Sequence, residues 1–157
     1  MNGMKFTGVV LCSPALLLAT VLLLAACSTS TQTPSRSTTP SLVGTSWQLV
    51  KYQGSDDTTL TPDDKTKYTI AFAADGGLSA RIDCNRGRGK WKSSGRGQLQ
   101  FSQLALTRAM CPPGSLHDRI VRHWEFIRSY LIKDGHLFLS LMADGGVYEF
   151  EPIAGAQ

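Results

Sequence analysis

From Tyr68 to Cys84 apolar side chains occupy every second position, at Tyr68, Ile70 and Phe72 and again at Leu78, Ala80, Ile82 and Cys84, with Asp75-Gly76-Gly77 between the two runs. A period of two puts one set of side chains on one face of an extended chain, and glycine supplies the positive φ of a tight turn. The pattern predicts a hairpin of strands 68–73 and 78–84, with Cys84 on its inward face. Similar runs predict strands at 47–52, 89–93, 98–104, 130–133, 136–142 and 147–152. The turns between them fall at Ser94-Gly95-Arg96-Gly97, Asp134-Gly135 and Asp144-Gly145-Gly146. A polar loop holding Asp56, Asp57, Asp63 and Asp64 separates the first strand from the hairpin, with Leu60 its one candidate for the core. The period changes once. After Pro112-Pro113-Gly114, Ser115 stands three residues before Asp118 in a capping-box-like start, and Leu116, Ile120, Trp124 and Ile127 recur at helical spacing. One amphipathic helix is expected at 115–128. The string Ala-Asp-Gly-Gly occurs at 74–77 and 143–146, which shared hairpin chemistry explains more simply than duplication. Neither copy has the ligand series of a calcium loop.

The N-terminus belongs to a different kind of segment. Lys5 precedes an apolar run from Val9 to Leu24, and Leu24-Ala25-Ala26-Cys27 follows. The run is about 16 residues and contains Pro14, against the roughly 20 apolar residues of a spanning helix, so it reads as a secretory signal. The arrangement resembles bacterial lipoprotein precursors, which implies cleavage after residues 1–26 and acylation of Cys27. Each buried methylene contributes about 0.8 kcal/mol, so two or three acyl chains would hold the protein on a membrane. Ser28 after the cysteine implies, by the same resemblance, the outer membrane facing the periplasm if the cell has one. Residues 27–41 then form a lipidated cysteine and a Ser/Thr/Pro tether with no residue that can repay folding entropy. Extended at roughly 3 Å per residue, it reaches on the order of 40 Å. Residues 42–157 remain for one small domain. Removing residues 1–26 takes only Lys5 from 16 basic and 12 acidic residues, lowering the formal net charge from +4 to +3. That mild excess suits an anionic headgroup or glycan as well as an ordinary surface, and an exported location argues against nucleic acid.

Within that domain, Gly44-Thr45-Ser46-Trp47-Gln48-Leu49, Asp83-Cys84-Asn85, Leu106-Thr107-Arg108-Ala109-Met110-Cys111 and Gly135-His136-Leu137-Phe138-Leu139 resemble the META domain of the HslJ family. The resemblance spans residues 42–152, and its most specific parts are Cys84-Asn85 and Thr107–Cys111. Asp83 departs from it, since glycine is common there. The resemblance implies a small α+β domain, a curved antiparallel sheet or open barrel with one packed amphipathic helix. It also implies an association with heat-shock, antibiotic or other envelope stress, and it supplies no enzymatic activity.

The residues that could carry chemistry are few. With Cys12 removed and Cys27 acylated, Cys84 and Cys111 are the thiols left in an oxidising compartment. A disulfide between them closes a loop of about 28 residues and stabilises by about 3.5 kcal/mol in the chain-entropy picture. Reduced buried cysteines, or a thiol enzyme centred on Cys111, are the alternatives. His117, His123 and His136 are not spaced as paired helical ligands, so no metal site is expected, and no catalytic set or cofactor fingerprint is present. His123 is expected at the boundary of the core, and Arg108 to pair with a carboxylate or backbone carbonyls. Arg86, Arg88, Lys90 and Lys92 alternate, so an extended chain projects all four to one face as a candidate anion-binding ladder, with Trp91 opposite. Gly87 and Gly89 would admit a close partner, and Arg81 and Arg96 would extend the patch. The competing role is a charged edge strand that resists aggregation. The expected function is a lipid-anchored, non-enzymatic envelope lipoprotein that binds an anionic lipid, a glycan or an envelope protein. Inhibition of a lytic enzyme is the alternative binding role.

Overall fold

A computed structural model describes residues 41–155. The expected signal peptide, lipidation site at Cys27 and tether, apart from Ser41, lie outside the described residues. The described strands are β1 (Thr45–Gln53), β2 (Thr59–Leu60), β3 (Tyr68–Phe72), β4 (Gly77–Ile82), β5 (Asn85–Lys92), β6 (Gln100–Phe101), β7 (Ala105–Leu106), β8 (Ile127–Lys133), β9 (His136–Leu141) and β10 (Val147–Pro152). Among the described residues one helix, α1 (His117–His123), runs into a 3-10 turn at Trp124–Phe126, and a second 3-10 turn spans Lys65–Lys67. The strands form one antiparallel sheet in the order β6-β5-β4-β3-β1-β10-β9-β8. Its ends meet: the Leu99 amide donates to the Arg128 carbonyl at 2.9 Å and the Tyr130 amide to the Gly97 carbonyl at 2.8 Å. The result is a nearly closed barrel, an arrangement that leaves little unpaired edge.

The barrel follows from the alternation. Tyr68, Ile70 and Phe72 of β3, Leu78, Ala80 and Ile82 of β4, and Leu137, Leu139 and Leu141 of β9 all point inward and are buried. Trp47, Leu49 and Tyr52 of β1 join them. Ile120 of α1 and Trp124 line the same interior space as Leu49, Ile70 and Leu139, and Trp124 stacks on Phe101 with ring centroids 4.7 Å apart. Asp134 and Gly135 both take positive φ, 52° and 79°, which is the primed turn that matches the twist of β8 and β9. The two Ala-Asp-Gly-Gly strings turn differently. In the first only Gly76 has positive φ, and in the second Ala143, Asp144 and Gly146 do.

Five expectations are corrected. Cys84 is not on the inward face of a strand, because β4 ends at Ile82 and Ile82 pairs directly with Asn85 across a two-residue turn. Asp83 takes φ of 55° there, a left-handed conformation that aspartate tolerates better than most residues and glycine adopts freely. The strand expected at 89–93 therefore begins four residues earlier, at Asn85. The strand expected at 98–104 is broken: Phe101 pairs with Trp91 and Leu106 with Gly87, so this segment carries one more residue than β5 between the two pairs. The helix is shorter than 115–128, since Trp124–Phe126 tightens to 3-10 and Ile127 is already extended. Its capping box does not form. Leu116 holds the N-cap position, while the Ser115 hydroxyl accepts the His117 amide at 3.1 Å and Asp118 pairs with His117.

One cluster of the core is polar. The His123 ring nitrogen Nδ1 lies 2.8 Å from the Tyr148 hydroxyl, the Tyr52 hydroxyl donates to the Gly145 carbonyl at 2.6 Å, and the Arg119 guanidinium sits 5.7 Å above the Tyr52 ring. Burial, with Arg119 and Arg122 nearby, holds the His123 imidazole below its ordinary value of 6.5. A histidine kept neutral stabilises the fold fully above its unfolded value, and this contribution is lost as pH falls through the lower folded value. We therefore expect the melting temperature to drop as pH falls below about 6.5, with a shallower drop in His123→Gln. Equal slopes in the two proteins would contradict this assignment.

Candidate functional site

Strand β5 carries the basic ladder, and its burial alternates residue by residue. Asn85, Gly87 and Trp91 turn toward the core, while Arg86, Arg88, Lys90 and Lys92 are exposed on the outer face. Trp91 meets the Phe72 ring edge-on at 5.3 Å and donates its indole N–H to the Ala73 carbonyl. Among the described residues no carboxylate lies within ion-pairing distance of the four ladder cations. Gly87 and Gly89 do not open the backbone to an outside partner. A side chain at Gly87 would meet Leu106 at 2.8 Å, and one at Gly89 would meet Ser102 and Leu104, so this chain fills the space itself.

The strand register extends the ladder into a surface. Ser46, Ala71, Ser79 and Arg88 stand side by side across β1, β3, β4 and β5, and the neighbouring row is Gln48, Thr69, Arg81 and Arg86. Because Ser46, Thr69, Ala71 and Ser79 are short, a groove of about 690 Å³ lies over Ser46, Ala71 and Ser79, bordered by Arg81, Arg86 and Arg88. Lys90 borders its continuation toward Gly77. Arg81 donates to the Thr66 and Asp83 carbonyls at 3.1 and 3.2 Å, which fixes its guanidinium without neutralising it. Arg96 lies in the turn beyond β5, near Lys92 rather than in these rows. At the far end of the second row Glu151 is already engaged. Hydrogen bonds from Gln48 and Lys65 hold its carboxyl below the ordinary range.

Cys84 and Cys111 form a disulfide with Sγ atoms 2.02 Å apart, so neither is a free thiol. Beside it is the residue that the reading of individual side chains passed over. Asn85 is wholly buried; its Nδ2 donates to the Ala109 carbonyl at 2.9 Å, and its Oδ1 accepts the Ala109 amide at 2.8 Å and the Thr107 hydroxyl at 2.9 Å. One asparagine thus replaces a strand partner for the segment 107–111. The paired Cys84-Asn85 and Thr107–Cys111 strings were the available signal, since each supplies half of this junction. Arg108 is exposed and, among the described residues, makes no ion pair or side-chain hydrogen bond, contrary to the expected pairing. No group of three His, Cys, Asp or Glu side chains is placed to hold a metal among the described residues.

This junction sits within a sequence that matches the META domain family over residues 40–154. The chain belongs to the META domain family. No curated protein matches it. A protein from Burkholderia xenovorans, solved by NMR, superimposes with a TM-score of 0.61 at 22% identity, covering 72% of this chain and 84% of that one. A DUF4847 family protein from Bacteroides vulgatus superimposes with a TM-score of 0.52 at 16% identity, over 73% of this chain and 94% of that one. Identities this low extend the likeness to the fold. In this META domain the barrel, the asparagine junction and the cationic outer face therefore coexist on one scaffold, and the last of these carries unpaired charge.

Proposed function

We propose that the chain is a non-enzymatic lipoprotein of the cell envelope, anchored through Cys27, whose META domain binds an anionic envelope surface and supports the envelope under stress. The observation that carries this reading is the row of four exposed cations on β5 with no carboxylate partner among the described residues. Near an anionic leaflet each such charge contributes on the order of 1 kcal/mol of attraction. An anchor that confines the domain to the membrane makes even a weak contact effective, because the tether sets a high local concentration. In a cell with an outer membrane, the domain would face the periplasm.

The anchor and the contact are tested separately. Labelled palmitate should enter the full chain and not Cys27→Ser. Residues 27–157 carrying Cys27→Ser should sediment with anionic vesicles and stay in solution with zwitterionic ones. Equal partitioning into both would contradict the anionic-surface reading. A thiol mechanism at Cys111 is disfavoured by its bond to Cys84. A second binding reading, inhibition of a lytic enzyme, draws on the segment 107–111, where Met110 is 98% exposed between the two pinned residues Ala109 and Cys111. Lysozyme assays in the presence of Met110→Asp and the parent chain decide it, since inhibition confined to the parent is required.

A further inference from the structure

We propose that the groove over Ser46, Ala71 and Ser79 is a binding site for a linear acidic glycan; this deepens the anionic-surface reading by naming the ligand class. Three properties of the groove point to that chemistry. Its border is cationic along β5, where alternate residues project about 7 Å apart, so a polymer with regularly spaced carboxylates can meet Arg86, Arg88 and Lys90 in turn. Arginine receives carboxylates through two parallel hydrogen bonds. Its floor is both hydroxylated and apolar. Ser46, Thr69 and Ser79 line it, and among the described residues their hydroxyls make no hydrogen bond to other side chains or to the backbone. Ala71 and Ile153 line it as well, and they suit the C–H face of a sugar ring. The groove is also recessed. A flat bilayer would touch the long cations of β5 and miss the short side chains of β1, β3 and β4, whereas a single polymer chain can lie along them. A groove of about 690 Å³, continued by a second of about 480 Å³ that shares Ser46, Ala71, Ser79 and Arg88, accommodates several sugar units.

The test separates shape from charge. The full chain, purified in a neutral detergent, is titrated with oligogalacturonate, and with polyphosphate and polyglutamate of matched charge. Ala71→Trp and Ser79→Trp fill the floor without altering any charge, and both positions face away from the core. Circular dichroism checks that each folds, and Ser79→Ala serves as a mild variant. Oligogalacturonate should bind at least tenfold more tightly than the other polyanions, and each tryptophan should weaken it at least tenfold while leaving binding to anionic vesicles unchanged. Equal affinity for all three polymers, unchanged affinity in both tryptophan variants, or no binding of oligogalacturonate would overturn the glycan site. Those results leave the anionic-surface reading standing if charge reversal on β5 still abolishes vesicle binding. That reading falls if charge reversal changes nothing.

Discussion

Replacing Cys84 and Cys111 together with alanine is expected to lower the unfolding free energy by about 3.5 kcal/mol, which in a domain of this size is a fall of roughly 15 °C in melting temperature. The sequence separation of 27 residues sets the entropy that the unfolded chain regains when the link is removed. The position of the loop adds to its importance. It contains β5, β6 and β7 and the residues at 97–99 that close the barrel against β8, so the link tethers the seam of the barrel as well as shortening the unfolded chain. Urea titrations of the parent chain with and without reductant should reproduce the variant's loss. A change below about 1 kcal/mol would mean that packing around Asn85 alone holds the segment in place.

The second large effect is expected at Asn85. Asn85→Leu keeps the branching at Cγ but leaves the Ala109 amide, the Ala109 carbonyl and the Thr107 hydroxyl without their partner, at a cost of about 3 kcal/mol. The orientation of the asparagine amide is determined by this network, because exchanging its oxygen and nitrogen would set donor against donor at the Ala109 amide. Thr107→Val should cost about 1 kcal/mol, since it removes the bond to Asn85 and the acceptor for the Arg86 amide. Because Asn85 and Thr107 share a bond, the double variant should lose less than the sum of the two single losses. Strict additivity in a double-mutant cycle would contradict the junction as described.

These two positions also show what the chain reveals before it is folded. The β3–β4 hairpin was legible because Tyr68, Ile70 and Phe72 alternate cleanly up to a turn that needs a glycine at positive φ. The ladder was legible for the same reason, since alternation alone separates Arg86 and Arg88 from Trp91. Periodicity failed where a tertiary contact overrides it. Ile127 continues the helical spacing of Leu116, Ile120 and Trp124, yet it pairs with Leu141 as a strand residue. Cys84 continues the alternation of β4, yet Asp83 turns the chain first. The groove was hidden in a different way. Ser46, Ala71 and Ser79 are unremarked as single residues on three strands, and only the strand register sets them beside Arg88.

The outer face of β5 is proposed to meet an anionic envelope surface. The most direct measurement is the binding of residues 27–157, with Cys27→Ser, to anionic vesicles across a salt series, beside a variant with Arg86, Arg88, Lys90 and Lys92 all changed to glutamate. Losing four charges at about 1 kcal/mol each, and gaining four repulsive ones, predicts a loss of at least roughly a thousandfold at low salt, and parent binding that weakens steeply as salt rises. Binding by both proteins with the same salt dependence, or by neither, would contradict the claim.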